Sequence, residues 1–379
     1  MFNVKKTIAA LAAVPMATSL VAVALVAGPA AADPPPPTGA SYCGSGSDTT
    51  QEVVQKLAGT LDSGLATPTP ANRKFESWNA TGSANITTNC AAGSFARPNG
   101  SGAGINALRF SLGLDAGGSV PANALSFARS SSKPSDTSNT DLTWIPFGTD
   151  AVDFAFKTNG PIDQKYPTGL SKADLRSIFN CDAAWRTFTI GGTTYTFQPY
   201  VPQANSGTRK FFLGTSALNI ADSRVNTTCL RDTKVSNSAS VQEHDGTVLT
   251  DPVVGATNYV EIIPFSIAQY IGQTNTAVTG QPDRRGSAEL GVLDSVTPIT
   301  GSGLSAEINT TWTTTNSGYT REVYNVFRTT KVTGAALDKH LEKLFVGTGS
   351  KVCASATTIK QYGFKVTANC GSTTLKGKR

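Results

Sequence analysis

Histidine is nearly missing from this chain: 379 residues contain two, His244 and His340. The scarcity removes the usual general bases, and neither a G-x-S-x-G elbow nor an H-E-x-x-H pair occurs. Zinc chemistry loses its usual ligands as well, because the six cysteines form no C-x-x-C pair and no Cys/His cluster. Strong basic clustering is absent; the formal charge is +6, of which Lys5 and Lys6 supply two, and no stripe suited to nucleic acid emerges. No apolar tail precedes the C-terminal Lys376-Gly377-Lys378-Arg379, and no repeat of fixed period is found.

The chain opens with Lys5 and Lys6, an apolar run from Thr7 to Val26, and Ala30-Ala31-Ala32. This pattern predicts a signal peptide over residues 1–32, cleaved near Ala32, then a proline-rich spacer over 33–39. The expected address is secreted or periplasmic, with no stable membrane insertion after cleavage. A retained membrane anchor is the alternative, since the run nearly reaches spanning length. No cysteine sits at the cleavage point to carry a lipid. All six cysteines, Cys43, Cys90, Cys181, Cys229, Cys353 and Cys370, fall in the mature part, where an oxidising compartment predicts three disulfides. The mature chain is long enough for two domains.

Three glycine- and serine-rich loops each run into a segment of helical periodicity. Gly44 to Thr50 precedes Gln51 to Leu61, where Val53, Val54, Leu57 and Leu61 recur on one face and Ser47, Asp48 or Thr49 is the expected N-cap. Asn99 to Gly104 leads into Ile105 to Leu108, and Asn205 to Thr208 into Arg209 to Leu213. Further helices are predicted over 171–179, with Ser171 and Asp174 as a capping pair, over 266–271 and over 335–345. Strands are predicted over 124–127, 142–147, 152–156, 197–201, 259–263 and 323–327, and loops or ribbons over 274–286 and 310–320. Strands alternating with helices imply α/β layers.

Helix N-termini aim free N–H groups and a positive dipole end at one point, which attracts anions. Ordinary capping explains any one such loop. Three of them, with Phe127 to Ser132 as a fourth polar strand end, suggest convergence on a ligand. His244, beside Asp245 and Gly246, reads as part of a turn, and His340 as a surface position of an amphipathic helix. Asp150, Asp153 and Glu261 are the carboxylates that could pair for acid/base work, with Asp150 and Asp153 read as dressing a strand.

In order along the chain, Gly44 to Thr50, Asn99 to Gly104, Phe127 to Ser132, Ile145 to Val152, Leu170 to Phe179 with Trp185, Ser206 to Thr208, and Ile263 to Ile271 resemble the phosphate-binding proteins of the type II periplasmic-binding fold and their secreted PstS-like relatives. The resemblance implies an α/β fold of two lobes joined by two interdomain crossing strands. Lobe one is then 40–144 plus 321–379, and lobe two 145–320. It implies a ligand site of Asp48, Thr49, Thr50, Ser101, Ser130 and Ser131 from lobe one, facing Ser206, Gly207 and Thr208 from lobe two, to which the neighbouring Ser47 and Gly102 and the cations Arg129 and Arg209 are added as expected ligand residues. The implied ligand is a small anion such as phosphate, with an ABC permease as the partner that receives it, no nucleic acid, no metal or organic cofactor, and a monomeric chain. On this domain plan the disulfides pair nearest neighbours: Cys43–Cys90, Cys181–Cys229 and Cys353–Cys370.

Two positions depart from the phosphate-binding pattern. Val201 to Asn205 holds no arginine where relatives carry one, and Arg129 to Ser132 holds no aspartate. Arg129 and Arg209 are the cations at hand. Beside a binding protein, two other classes fit: a secreted hydrolase or phosphoesterase on the same cleft, and a cell-wall or adhesive protein that has lost its ligand.

Overall fold

The computed structural model describes Asp33 and residues 41–62, 73–251 and 258–379. The expected signal peptide, and all of the proline spacer but Asp33, lie outside the described residues. Asp33 forms a forked ion pair with Arg97 at 2.7 and 2.9 Å.

Ten strands form one mixed sheet: β1 (Ser41–Gly46), β2 (Lys74–Ser77), β3 (Phe127–Ser130), β4 (Leu142–Lys157), β5 (Thr187–Ile190), β6 (Thr193–Pro199), β7 (Tyr259–Ser266), β8 (Ala288–Leu290), β9 (Thr320–Arg328) and β10 (Lys376–Gly377). The order is β2-β1-β3-β9-β4-β7-β6-β5, with β8 and β10 also on β4. Pairing is parallel for β1 with β2, β1 with β3 and β6 with β7, and antiparallel elsewhere. The fold is α/β with two lobes, and the antiparallel ribbon of β4 and β9 is common to both. Its register slips at Phe147, where Val323 faces Gly148 and Tyr324 faces Pro146. Pro146 has no N–H for the ladder, and a bulge beside it bends the ribbon.

Expected and observed elements differ in instructive ways. The runs 142–147 and 152–156 belong to one strand, β4, because Gly148 to Ala151 pair with Thr320 to Val323 on the return strand. The strand expected over 124–127 begins at Phe127, where pairing to β1 begins. β1 itself is Gly/Ser-rich and escaped periodicity, yet all six residues are buried. A Cβ on Gly44 would enter the Phe127 ring, so a central strand here requires glycine. The helix expected over 335–345 starts only at Lys339, where Asp338 accepts from the backbone N–H groups of His340 and Leu341. Residues Thr310–Thr315, expected in a loop, form a helix capped by Asn309 that buries Trp312.

Helix α1 (Gln51–Leu61) buries Val53, Val54 and Leu57 beside Tyr42, Phe75 and Phe127. Thr50 holds its N-cap position without a side-chain bond, in place of the expected Ser47, Asp48 or Thr49. Helix α2 (Ser101–Ser111) lies on β1 and β3. Helix α3 (Lys172–Phe179) carries the predicted Ser171–Asp174 capping box. Helices α4 (Gly207–Leu213) and α5 (Ile267–Thr274) start from the side-chain caps Ser206 and Ser266. Disulfides join Cys43–Cys90, Cys181–Cys229 and Cys353–Cys370, closing separations of 47, 48 and 17 residues. By loop-closure entropy each contributes on the order of 3–4 kcal/mol.

Two carboxyls on the ribbon and its neighbour make stability depend on pH. Asp153 is fully buried; one oxygen accepts only from the Phe154 N–H and the other has no partner. Burial pushes its carboxyl well above the ordinary range, and burial likewise pushes Glu261 up to about 7. The folded state therefore keeps protons that the unfolded chain releases from about pH 4 upward, and stability falls as pH rises through that window. Asp153→Asn should melt higher than the parent at pH 8, and the difference should vanish near pH 4. A difference independent of pH would show that Asp153 is not the group responsible.

Candidate functional site

Four chain segments bring polar groups to one buried point. From the β1–α1 loop comes Thr49, from the end of β3 Ser131, from the start of α4 Thr208, and from β9 Arg321. Thr49 Oγ1 lies 3.3 Å from the hydroxyls of both Ser131 and Thr208. Arg321 Nη2 donates to Thr208 Oγ1 at 3.0 Å and to Thr49 Oγ1 at 3.4 Å. Ser101 extends the ring: its Oγ accepts from the Ser131 N–H at 2.9 Å and sits 3.2 Å from Ser131 Oγ. All five side chains are buried.

Local backbone chemistry sets these positions. Gly100 takes φ +107 at the mouth of α2, where a Cβ would strike the Asn205 carbonyl. Asn205 is left-handed at φ +68, and this turn aims Ser206 back to cap the Arg209 N–H. At Gly207 any side chain would collide with the hydroxyls of Ser101 and Ser131, so the starts of α2 and α4 and the end of β3 touch here. The Gly102 N–H donating to the Asn205 carbonyl at 3.0 Å, and Gln203 donating to Asn99 at 2.7 Å, hold the same seam.

Two residues at the ring, Arg321 and Glu243, carry no role in the sequence reading, and a third, His244, reads there only as part of a turn. Arg321 faces Asp150 directly across the β4–β9 ladder and grips it with bonds of 2.8 and 3.0 Å. Asp150 also accepts from Ser266 Oγ and the Ala268 N–H. Glu243 and His244 arrive on the segment after β6, both buried, with His244 left-handed at φ +55. The expected turn at His244 is thus a tight one, folded inward rather than out to solvent. Glu243 Oε2 accepts from Thr49 Oγ1 at 3.0 Å and from Thr208 Oγ1 at 3.3 Å, and lies 3.3 Å from His244 Nε2. Burial alone would raise this carboxyl. Hydrogen bonds from His244 and the Ser206 hydroxyl, with the charge of Arg321, outweigh it and hold the group below the ordinary carboxylate range.

The remaining expected ligand residues are placed differently. Arg129 is fully buried and donates to the Ser47 and Trp78 carbonyls and to Ser77 Oγ, away from the ring. Arg209 is clamped between Asp222 and Asp232 at 2.7 and 2.6 Å. Asp48 pairs with Arg284 at 3.1 Å. Ser130 Oγ donates to the Ser132 carbonyl. Among the described residues the hydroxyls of Ser47 and Thr50 are buried without a hydrogen-bond partner. Beside the ring lies a cleft of about 510 Å³, bordered by Ser101, Trp144, Ser206, Lys210 and Ile220.

Asp48, Glu243 and His244 each offer a ligand atom within 4.8 Å of one another. The donor set does not fit a metal. His244 Nδ1 accepts the Ser266 N–H at 3.3 Å, which places the ring proton on Nε2, the atom 3.0 Å from Thr49 Oγ1 and 3.3 Å from Glu243 Oε2. Arg284 already occupies Asp48, and a cation would meet it at close range.

No protein-family model matches the chain, and no curated protein is significantly similar in sequence. Solved structures are similar at low identity. A protein from Clostridium perfringens, described as a phosphate ABC transporter substrate-binding protein with bound phosphate, shares 13% identity over 86% of this chain and 99% of its own, with a TM-score of 0.48. An ABC-type phosphate transport receptor from Vibrio cholerae shares 13% identity over 87% and 100%, with a TM-score of 0.47. PstS from Borrelia burgdorferi shares 11% over 86% and 98%, with a TM-score of 0.40. Among the described residues no helix is long and apolar enough to cross a membrane.

Proposed function

We propose that this protein is an extracytoplasmic solute-binding protein that clamps a small oxyanion, phosphate or a related ligand, between its two lobes. The observation that carries the reading is the ring of Thr49, Ser131, Thr208 and Arg321, contributed from both sides of the lobe seam and already holding one carboxylate. Hydroxyls and a guanidinium aimed at one buried point are the chemistry that holds a dehydrated oxyanion. Lobe one is 40–144 with 321–379 and lobe two is 145–320. The β4–β9 ribbon with its bulge at Phe147 absorbs the hinge motion, and the adjoining cleft is the way in. Release to an ABC permease completes the transport role, and binding rather than turnover is the activity.

The test is thermal stability of the exported chain with phosphate, sulfate and organophosphates added at millimolar concentration. A ligand at a hundred times its Kd should stabilise the protein by about 2.7 kcal/mol. Melting that ignores all of them would overturn the reading. One observation favours the cell-wall alternative: Gly207 against Ser101 and Ser131 leaves the ring closed. That alternative predicts unchanged melting with every oxyanion.

A further inference from the structure

Glu243 has the geometry of a ligand, although it belongs to the chain. Its Oε2 lies where hydroxyls from opposite lobes meet, bonded to Thr49 on one side and Thr208 on the other. The imidazole of His244 lies against Thr49 and Glu243, its Nε2 3.0 Å from Thr49 Oγ1 and 3.3 Å from the same Glu243 oxygen. Its second oxygen, Oε1, is buried without a partner among the described residues, and so is Arg321 Nη1. Buried carboxylate oxygens are as a rule hydrogen-bonded, so an open oxygen beside an open guanidinium N–H marks a place for further polar contacts. Glu243 is held at a single oxygen by the groups that would otherwise face an oxyanion.

We infer that Glu243 is the resident anion of the ring, and that an incoming oxyanion binds by taking its place. The inference rests on the oxyanion reading above for the nature of the ligand. Two anions cannot share the ring: Thr49 and Thr208 have one hydroxyl proton each, and the single guanidinium there is already engaged by Asp150. While the carboxylate is in place it ties lobe to lobe in the unliganded protein, and binding is an exchange of one anion for another. Affinity then depends on how readily Glu243 leaves, and a ligand must offer at least as many acceptor oxygens as it displaces. Multi-oxygen tetrahedral anions meet that demand better than halides, because their further oxygens can also engage Ser131 and Arg321 Nη1.

Two variants of the full exported chain test this, Glu243→Ala and Glu243→Gln, with sodium formate, inorganic phosphate and sulfate as probes. Formate is the deleted carboxylate in free form. It should raise the melting temperature of Glu243→Ala saturably and leave the parent unmoved. Phosphate or sulfate should bind either variant at least about tenfold more tightly than the parent, a gain of about 1.4 kcal/mol. Should Glu243→Ala not fold, Glu243→Gln, which keeps the shape without the charge, is scored with phosphate and sulfate alone. If formate restores Glu243→Ala while phosphate and sulfate bind nothing, the resident anion stands and the oxyanion-transport reading falls. If phosphate binds parent and variants equally and formate has no effect, the exchange is overturned and the oxyanion reading stands. No gain for any probe in a folded variant overturns the inference.

Discussion

Replacing Arg321 with methionine is expected to cost about 3–5 kcal/mol of folding stability, because it strands a buried carboxylate. Asp150 is fully inaccessible, and its Oδ2 is bonded by both the Nε and Nη2 of Arg321. Methionine fills much of the volume but leaves Asp150 with only Ser266 Oγ and the Ala268 N–H, both on its other oxygen. The same change removes the one guanidinium that reaches Thr49 and Thr208, so any oxyanion affinity should go with it. Asp150→Asn in the Arg321→Met background should recover part of the loss, since the pair is then neutral on both sides. Urea unfolding midpoints at constant slope measure this, and a double-mutant cycle isolates the pair. A single-variant cost under about 1 kcal/mol would mean that the pair is solvated and does not brace the ribbon.

Arg129→Met comes next, with an expected cost of about 2–5 kcal/mol from unpaired buried carbonyls and lost charged hydrogen bonds. The Arg129 guanidinium sits in the interior, where burial lowers its affinity for a proton to about 10 and the charges of Glu52, Asp48 and Asp33 oppose that fall. Its donors terminate the Ser47 and Trp78 carbonyls, the first of them inside the loop that carries Thr49. Loss of the fork should therefore loosen the β1–α1 loop as well as destabilise the fold. Arg129→Lys should recover little, because an ammonium cannot span the separate acceptors of a planar fork. Full recovery in Arg129→Lys, judged by unfolding midpoints, would show that charge alone matters there. The role differs from the ligand contact that its place in the strand-end motif suggests.

Much of the architecture was legible because it is local. Ser171 with Asp174, Ser206 and Ser266 cap the helices that follow them, and such signals act over three or four residues. The disulfide pairs fell within segments whose order the motifs already indicated. Strand β1 was invisible for an equally physical reason: glycine and serine carry no strand signal, and Gly44 is demanded by a ring eighty-three residues away, Phe127.

The site divides along the same line. Thr49, Ser101, Ser131 and Thr208 stand out in the sequence because each lies in a glycine- or serine-rich loop that opens a helix or ends a strand. Nothing local marks Arg321 or Glu243, and His244 reads only as part of a turn. Arg321 acquires its role from register, by facing Asp150 across the ribbon, and Glu243 from an inward turn at His244 that carries it to Thr49 and Thr208. Arg129 and Arg209 looked equally eligible as ligand cations, and burial sent one to backbone carbonyls and the other to Asp222 and Asp232. By itself the sequence determined the hydroxyl-bearing loops and their helices, since capping and turn chemistry depend on neighbours in the chain. Which charges meet in the ring was decided only by the tertiary structure, since charge pairing depends on neighbours in space.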